Sequence, residues 1–113
     1  MHYVYMVECR DGSLYTGAAT DPARRLRQHL RQGAGCARYT RAHPVTALRG
    51  LWRTEEKRDA LRLEYAIKGL PREEKLALLE CPDRVAERFP RLTARYEPVT
   101  DNVLAQCQEE FAR

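Results

Sequence analysis

Tyr3-Val4-Tyr5-Met6-Val7-Glu8-Cys9-Arg10-Asp11-Gly12-Ser13-Leu14-Tyr15-Thr16-Gly17 is the stretch whose reading decides the fold of this chain. Tyr3 to Cys9 is rich in the aromatic and β-branched residues that suit a pleated strand. Asp11-Gly12 is a tight-turn dipeptide, and Ser13 to Gly17 supplies the return strand. A two-residue Asp11-Gly12 loop pairs Tyr5 with Ala18 and Glu8 with Tyr15, which puts the two tyrosines on opposite faces. They share a face only if the loop has an odd length or a bulge intervenes.

Outward from this hairpin, Thr20-Asp21-Pro22 is a helix entry, with an oxygen-bearing cap and proline in the first turn. Ala23, Leu26 and Leu30 form the apolar stripe of that helix, which is expected to end near Gly33. Gly33 to Arg41 reads as a glycine-started, cation-rich loop, and a third strand is expected from about Val45 to Trp52. Thr54-Glu55-Glu56 opens a second helix carrying Ala60, Leu61, Ile67 and Leu70. Pro71 restarts the chain in a third helix, buried through Leu76 and Leu79. Pro90 and Pro98 interrupt the next stretch, and Thr100-Asp101 caps a last helix with Val103, Leu104, Cys107 and Phe111 aligned. The expectation is a small α/β domain, a three-stranded antiparallel sheet flanked by helices, over residues 1–82. A helical C-terminal extension over 83–113 packs on that domain or on a partner, a second copy included.

The chain has 113 residues, enough for one modest core. Cys9, Cys36, Cys81 and Cys107 show no C-x-x-C pair and no histidine cluster at zinc spacing, so they read as reduced thiols. No stretch approaches the ~20 apolar residues of a membrane span, and the N-terminus lacks a leader pattern, so a cytoplasmic protein without a membrane partner is expected. Residues 1–53 carry nine arginines and no lysine against three acids, a balance of +6; residues 54–113 carry eleven cations against thirteen acids, −2. Arginine's planar fork suits bidentate phosphate contact, and the lopsided charge points to a polyanion partner.

Glu64 follows Ala60 by four residues and precedes Ile67 by three, so helical geometry sets a carboxylate on a buried face. An unpaired carboxylate there costs several kcal/mol and must be neutralised, paired or metal-bound. Arg25 and His29 lie one helical turn apart and project together beside the Leu26/Leu30 stripe. Taken singly, each feature has an ordinary reading: a buried ion pair, a solvated face, or strand tyrosines that only pack.

The ordered set resembles the GIY-YIG nuclease family, in particular its small stand-alone bacterial members, over roughly residues 2–80. Tyr3-Val4-Tyr5 stands for the first triplet and Tyr15-Thr16-Gly17 for the second. Arg25 to His29 stands for the arginine-to-histidine helix turn, and Glu64 for the metal-binding glutamate. Ala37-Arg38-Tyr39-Thr40 and the helix Ile67-Lys68-Gly69-Leu70-Pro71-Arg72-Glu73-Glu74-Lys75 resemble further segments of those members. Position 3 has tyrosine where the triplet has glycine, and the sole asparagine, Asn102, lies in the tail.

The resemblance implies metal-dependent hydrolysis of phosphodiesters in DNA, with RNA the alternative polymer. The substrate class expected is branched, nicked or single-stranded DNA, since so small a surface reads little sequence. Tyr5, Tyr15, Arg25, His29 and Glu64 are the implied catalytic set, with Glu64 anchoring Mg2+ or Mn2+. Arg25 would brace phosphoryl charge, His29 would hold the phosphate or the attacking water, and one of the tyrosines, Tyr5 by preference, would act as base. Arg24, Arg27, Arg38, Tyr39 and Arg41 are the candidate nucleic-acid contacts. The competing class is a non-catalytic nucleic-acid-binding or adaptor module on the same fold.

Overall fold

The computed structural model describes residues 1–31 and 38–112, with the side chain of Arg38 outside the description. Expectations falling on residues 32–37, including the first helix's end near Gly33 and most of the cationic loop, lie outside the described residues. The elements are β1 (His2–Cys9), β2 (Leu14–Ala19), α1 (Pro22–Arg31), α2 (Arg38–Ala42), β3 (Val45–Thr54), α3 (Lys57–Lys68), α4 (Arg72–Glu80), a short 3-10 turn (Pro82–Arg84), α5 (Val85–Arg88), β4 (Glu97–Pro98) and α6 (Asn102–Ala112).

The sheet is antiparallel and has four strands in the order β2-β1-β3-β4, not three. The extra strand is two residues long and comes from the proline-interrupted tail, where Trp52 pairs with Pro98 and Arg53 with Glu97. Proline is tolerated there because β4 is an edge. Residues 38–41, expected in a loop, form most of α2.

Side-chain alternation along β1 divides the interior in two. Tyr3, Tyr5, Val7 and Cys9 face Leu26 of α1 and Cys107, with Val103, Leu104 and Phe111 of α6 packed alongside. Val4 and Met6 face Ala60, Leu63 and Ile67 of α3, Leu78 of α4 and Val85 of α5. The sheet is thus covered on both faces. The apolar side of α6, which could have met a second copy, is used against α1 and β3 of the same chain.

Two helical stripes differ from their expected composition. In α3 the buried line is Ala60, Leu63 and Ile67, whereas Leu61 is exposed and Leu70 lies beyond the helix end at Lys68. In α4 it is Leu78 that is fully buried, with Leu76 and Leu79 only partly covered. Spacings of three, four and seven all return to a helix's starting face, and Leu63 satisfies that geometry better than Leu61.

The β1–β2 turn also departs from the two-residue expectation. Cys9 donates to the Ser13 carbonyl at 2.8 Å and Tyr5 pairs with Gly17, so the connection is the three-residue loop Arg10-Asp11-Gly12. Gly12, at φ 85°, takes the left-handed position such loops need. The odd length puts Tyr15 opposite Val7, on the face that carries Tyr5. Among the described residues no helix is long and apolar enough to cross a membrane.

Candidate active site

Tyr5 is 1% exposed and Gly17 lies directly across from it on β2. A Cβ at position 17 would stand 2.3 Å from the Tyr5 oxygen and 2.5 Å from Cζ, so the phenol occupies the volume that a side chain on β2 would fill. β2 is the sheet's edge, and α3 packs against it.

From α1, His29 meets the Tyr5 oxygen through Nε2 at 2.6 Å and the Thr40 hydroxyl through Nδ1 at 2.6 Å. His29 and Thr40 are both wholly buried. The imidazole also sits edge-on to both site tyrosines, 5.6 Å between centroids in each case. Burial, and then the positive charge of Arg25, lower the His29 pKa to about 4, so the ring is neutral at physiological pH. With no exposure and both nitrogens engaged, it offers nothing to a phosphate from solvent.

Arg25, one turn earlier on α1, donates to the Gln28 side chain at 3.1 Å, and its positive charge acts on the Tyr5 phenol. Burial is the main cause that raises the Tyr5 pKa, with the Tyr15 and Glu64 charges adding to it and Arg25 opposing. Tyr5 is therefore a neutral phenol at physiological pH.

Glu64 is at the border of the α3 stripe, its side chain 20% exposed, so it is neither sealed in the core nor freely solvated. Lys68, one turn on, holds its ammonium 3.4 Å from the Glu64 carboxylate and 5.3 Å from the centre of the Tyr15 ring. On Tyr15 stacks Tyr39 (5.6 Å, 16°), and on Tyr39 stacks His43 (4.2 Å, 18°), whose Nδ1 is 2.7 Å from Asp11 of the β1–β2 loop. Tyr5, His29, Tyr15, Tyr39 and His43 thus form one continuous run of rings, ending at the surface.

Of the candidate nucleic-acid contacts, Tyr39 is 38% exposed at the outer part of this run. Arg24 and Arg41 are exposed. Arg27 points instead to α6, where it makes two hydrogen bonds to Glu110, at 2.9 and 3.0 Å. Asn102 is exposed at the start of α6.

Sequence reasoning did not find Thr40, Lys68 or His43. Lys68 was legible as the residue one turn after Glu64. Thr40 stood in the family-like segment Ala37-Arg38-Tyr39-Thr40 but without a role, and His43 had no signal, because no local pattern fixes where α2 docks. Among the described residues no group of three or more His, Cys, Asp or Glu gathers as a metal cage. Cys9, Cys81 and Cys107 are free thiols.

Residues 1–77 match the family profile described as the GIY-YIG catalytic domain. The chain is 45% identical over 92 residues to a UPF0213 protein of Halalkalibacterium halodurans, covering 81% of this chain and 96% of the relative. It is 46% identical over 78 residues to a UPF0213 protein of Halobacterium salinarum, covering 69% of this chain and 99% of the relative. The solution NMR structure of the UPF0213 protein from Bacillus halodurans aligns with a TM-score of 0.48 at 38% identity, over 83% of this chain and 98% of that one. A buried tyrosine–histidine pair, an arginine, a second tyrosine and a rim glutamate thus occur together within the matched segment, and the chain belongs to the GIY-YIG family.

Proposed function

We propose that this protein is a divalent-metal-dependent nuclease of the cytoplasm that hydrolyses phosphodiester bonds in DNA, acting on branched, nicked or single-stranded forms with little sequence preference. The observation that carries this reading is the convergence of Arg25, Tyr15 and Glu64 around the buried Tyr5–His29 hydrogen bond of 2.6 Å.

Glu64 suits a magnesium-type ion, which takes one or two carboxylates and fills its shell with water and phosphate oxygens. A partly exposed carboxylate, held among the described residues by a one-turn lysine contact of 3.4 Å, can turn to such an ion at little cost. When bound, Mg2+ or Mn2+ would polarise the phosphate and stabilise the leaving oxygen. Arg25 braces the negative charge that builds on the phosphoryl oxygens, a role worth about 3–4 kcal/mol in comparable oxyanion sites.

The base is better assigned to Tyr15 than to Tyr5. At 1% exposure and with its pKa raised, Tyr5 neither meets the attacking water nor ionises at neutral pH. Tyr15 is only partly covered and has the Lys68 ammonium beside its ring; as base it would act as the phenolate, becoming a phenol as it takes the water's proton, with that cation at hand. His29 then serves through Tyr5 and not on the phosphate. Tyr39, with Arg24 and Arg41, offers a stacking and charge surface for a strand; stacking on an exposed aromatic contributes about 1–3 kcal/mol per base.

Cleavage of labelled branched, nicked, single-stranded and duplex DNA, with matched RNA, tests this in the presence of Mg2+, Mn2+ or EDTA. The native protein should cut DNA only with a divalent ion. Glu64→Gln, Arg25→Ala and Tyr15→Phe should each lose at least a hundredfold in kcat while still binding DNA. A native protein that binds and never cuts with any divalent ion is an adaptor, and the nuclease reading is then wrong.

A further inference from the structure

We propose that Thr40 is a positioning residue: its hydroxyl accepts a hydrogen bond from Nδ1–H of His29 and so fixes the one ring tautomer in which Nε2 accepts from Tyr5. The geometry carries this in three steps. His29 bridges two hydroxyls, the Tyr5 phenol and the Thr40 alcohol, and of these the phenol is the far stronger acid and so the better donor. The phenol's own proton then needs an acceptor, and in a pocket where Tyr5 is 1% exposed the group in line at 2.6 Å is His29 Nε2. A neutral imidazole has one donor and one acceptor nitrogen, so Nδ1 holds the proton and gives it to Thr40 Oγ1, also at 2.6 Å.

The result is a directional chain, Tyr5 to His29 to Thr40, in which the phenol O–H and the ring N–H each meet an acceptor. It runs from β1 through α1 to α2, so a change at Thr40 reaches Tyr5 without touching it. Tyr39, the neighbour of Thr40 on α2, stacks on Tyr15, so the same short helix supports both halves of the site. The tautomer follows from the two hydrogen bonds and the unequal acidity of the hydroxyls that make them; its consequence for cutting rests on the nuclease reading above.

The test uses the full chain labelled with 15N, whose histidine ring nitrogens report the tautomer through long-range 1H–15N spectra at pH 7. Native His29 should show a protonated Nδ1 and a lone-pair Nε2. Thr40→Val, isosteric but without the oxygen, should move the proton to Nε2, and Thr40→Ser should restore the native pattern. A native ring protonated at Nε2, or a ring unchanged in Thr40→Val, overturns the proposal. The native spectrum alone decides this should Thr40→Val fail to fold. In cleavage assays Thr40→Val should lower kcat about ten- to hundredfold, in line with other residues that orient a site histidine, with KM for DNA unchanged and rescue in Thr40→Ser. The predicted ring shifts without any cleavage by native protein would uphold the Thr40 assignment and reject the nuclease.

Discussion

Replacing Gly17 by alanine adds one methyl group at the point where the site has least room. Gly17 is not in the left-handed region, so its backbone accommodates alanine without strain, and the substitution by itself should stabilise by about 0.4–1 kcal/mol through the unfolded chain. Against this stands the collision: the new Cβ lies 2.3 Å from the Tyr5 oxygen, 2.5 Å from Cζ and 3.0 Å from Cε1. Relief to ordinary contact needs a ring movement of roughly 1 Å, by the usual spacing of non-bonded atoms. A shift of that size takes the 2.6 Å bond to His29 out of hydrogen-bonding range. Overpacking costs about 1–3 kcal/mol, and a buried polar group left without its partner costs about 1–3 kcal/mol more.

With the small unfolded-chain gain subtracted, the net expectation is a loss of roughly 1–5.5 kcal/mol, read as a fall of about 4 °C or more in Tm by calorimetry. The His29 ring resonances should shift at the same time. In a Tyr5→Leu background, where the phenol is gone, Gly17→Ala should be close to neutral, so the coupling between the sites should equal nearly the whole loss seen in the native background. A Gly17→Ala protein that melts within 2 °C of native with an unmoved His29 spectrum would refute the packing argument.

Thr16 is 2% exposed, and its hydroxyl has no hydrogen-bond partner among the described residues; Thr16→Val should therefore stabilise by about 1–2 kcal/mol, visible as a higher midpoint in urea. His29 titrates near 4 in the fold against about 6.5 unfolded, so its contribution to stability is complete above pH 6.5 and is lost as pH falls to 4. A loss of roughly 3 kcal/mol over that window is expected, and it should flatten in His29→Gln in denaturant titrations at each pH. Removal of residues 83–113 strips β4 and α6 from the sheet and leaves the Pro82 carbonyl, which accepts from Trp52 Nε1 at 2.8 Å, at the end of the chain. The shortened chain should lack a cooperative melt, since the segment completes the core; an intact transition would make it a separable extension.

Several elements were legible because local pattern dictates them. The hairpin, α1 with its Asp21-Pro22 entry, β3 and α3 all follow from residue type and spacing, and Asp21 and Asp101 do accept the capping bonds expected of them. The loop length was not legible, because Asp11-Gly12 signals a turn without stating whether Arg10 belongs to the strand; one residue decided which face Tyr15 occupies. β4 and α2 carry no periodicity at two and five residues. The burial of His29 was hidden for the same reason: α1 shows a polar stripe beside an apolar one, and only the docking of Thr40 turns that stripe inward. On a helical wheel at ~100° per residue, Glu64 falls ~40° from Ala60 and Lys68 ~80° from it, which is the edge of the apolar face and not its centre. A border carboxylate keeps access to solvent, which a metal ligand needs and a core ion pair lacks.

That border position divides the site into a dry half and a wet half. Tyr5, His29 and Thr40 are sealed and neutral, and the exchange of their hydrogen bonds for water is what would unfold them. Tyr15, Glu64, Lys68 and Tyr39 stand at the surface, joined by contacts that a polyanion or a divalent ion can replace. Substitutions should sort accordingly. His29→Ala opens a cavity and orphans a buried phenol, so it should lower stability by about 2–4 kcal/mol together with activity. Glu64→Gln removes a one-turn ion pair worth about 0.3–0.5 kcal/mol, so Tm should hold within a degree or two while cutting and Mn2+ binding disappear. Parallel melts and cleavage assays on the two variants read this directly. If Glu64→Gln destabilised the fold as much as His29→Ala, the carboxylate would be a structural partner of Lys68 and Tyr15, and the metal would have to be sought elsewhere.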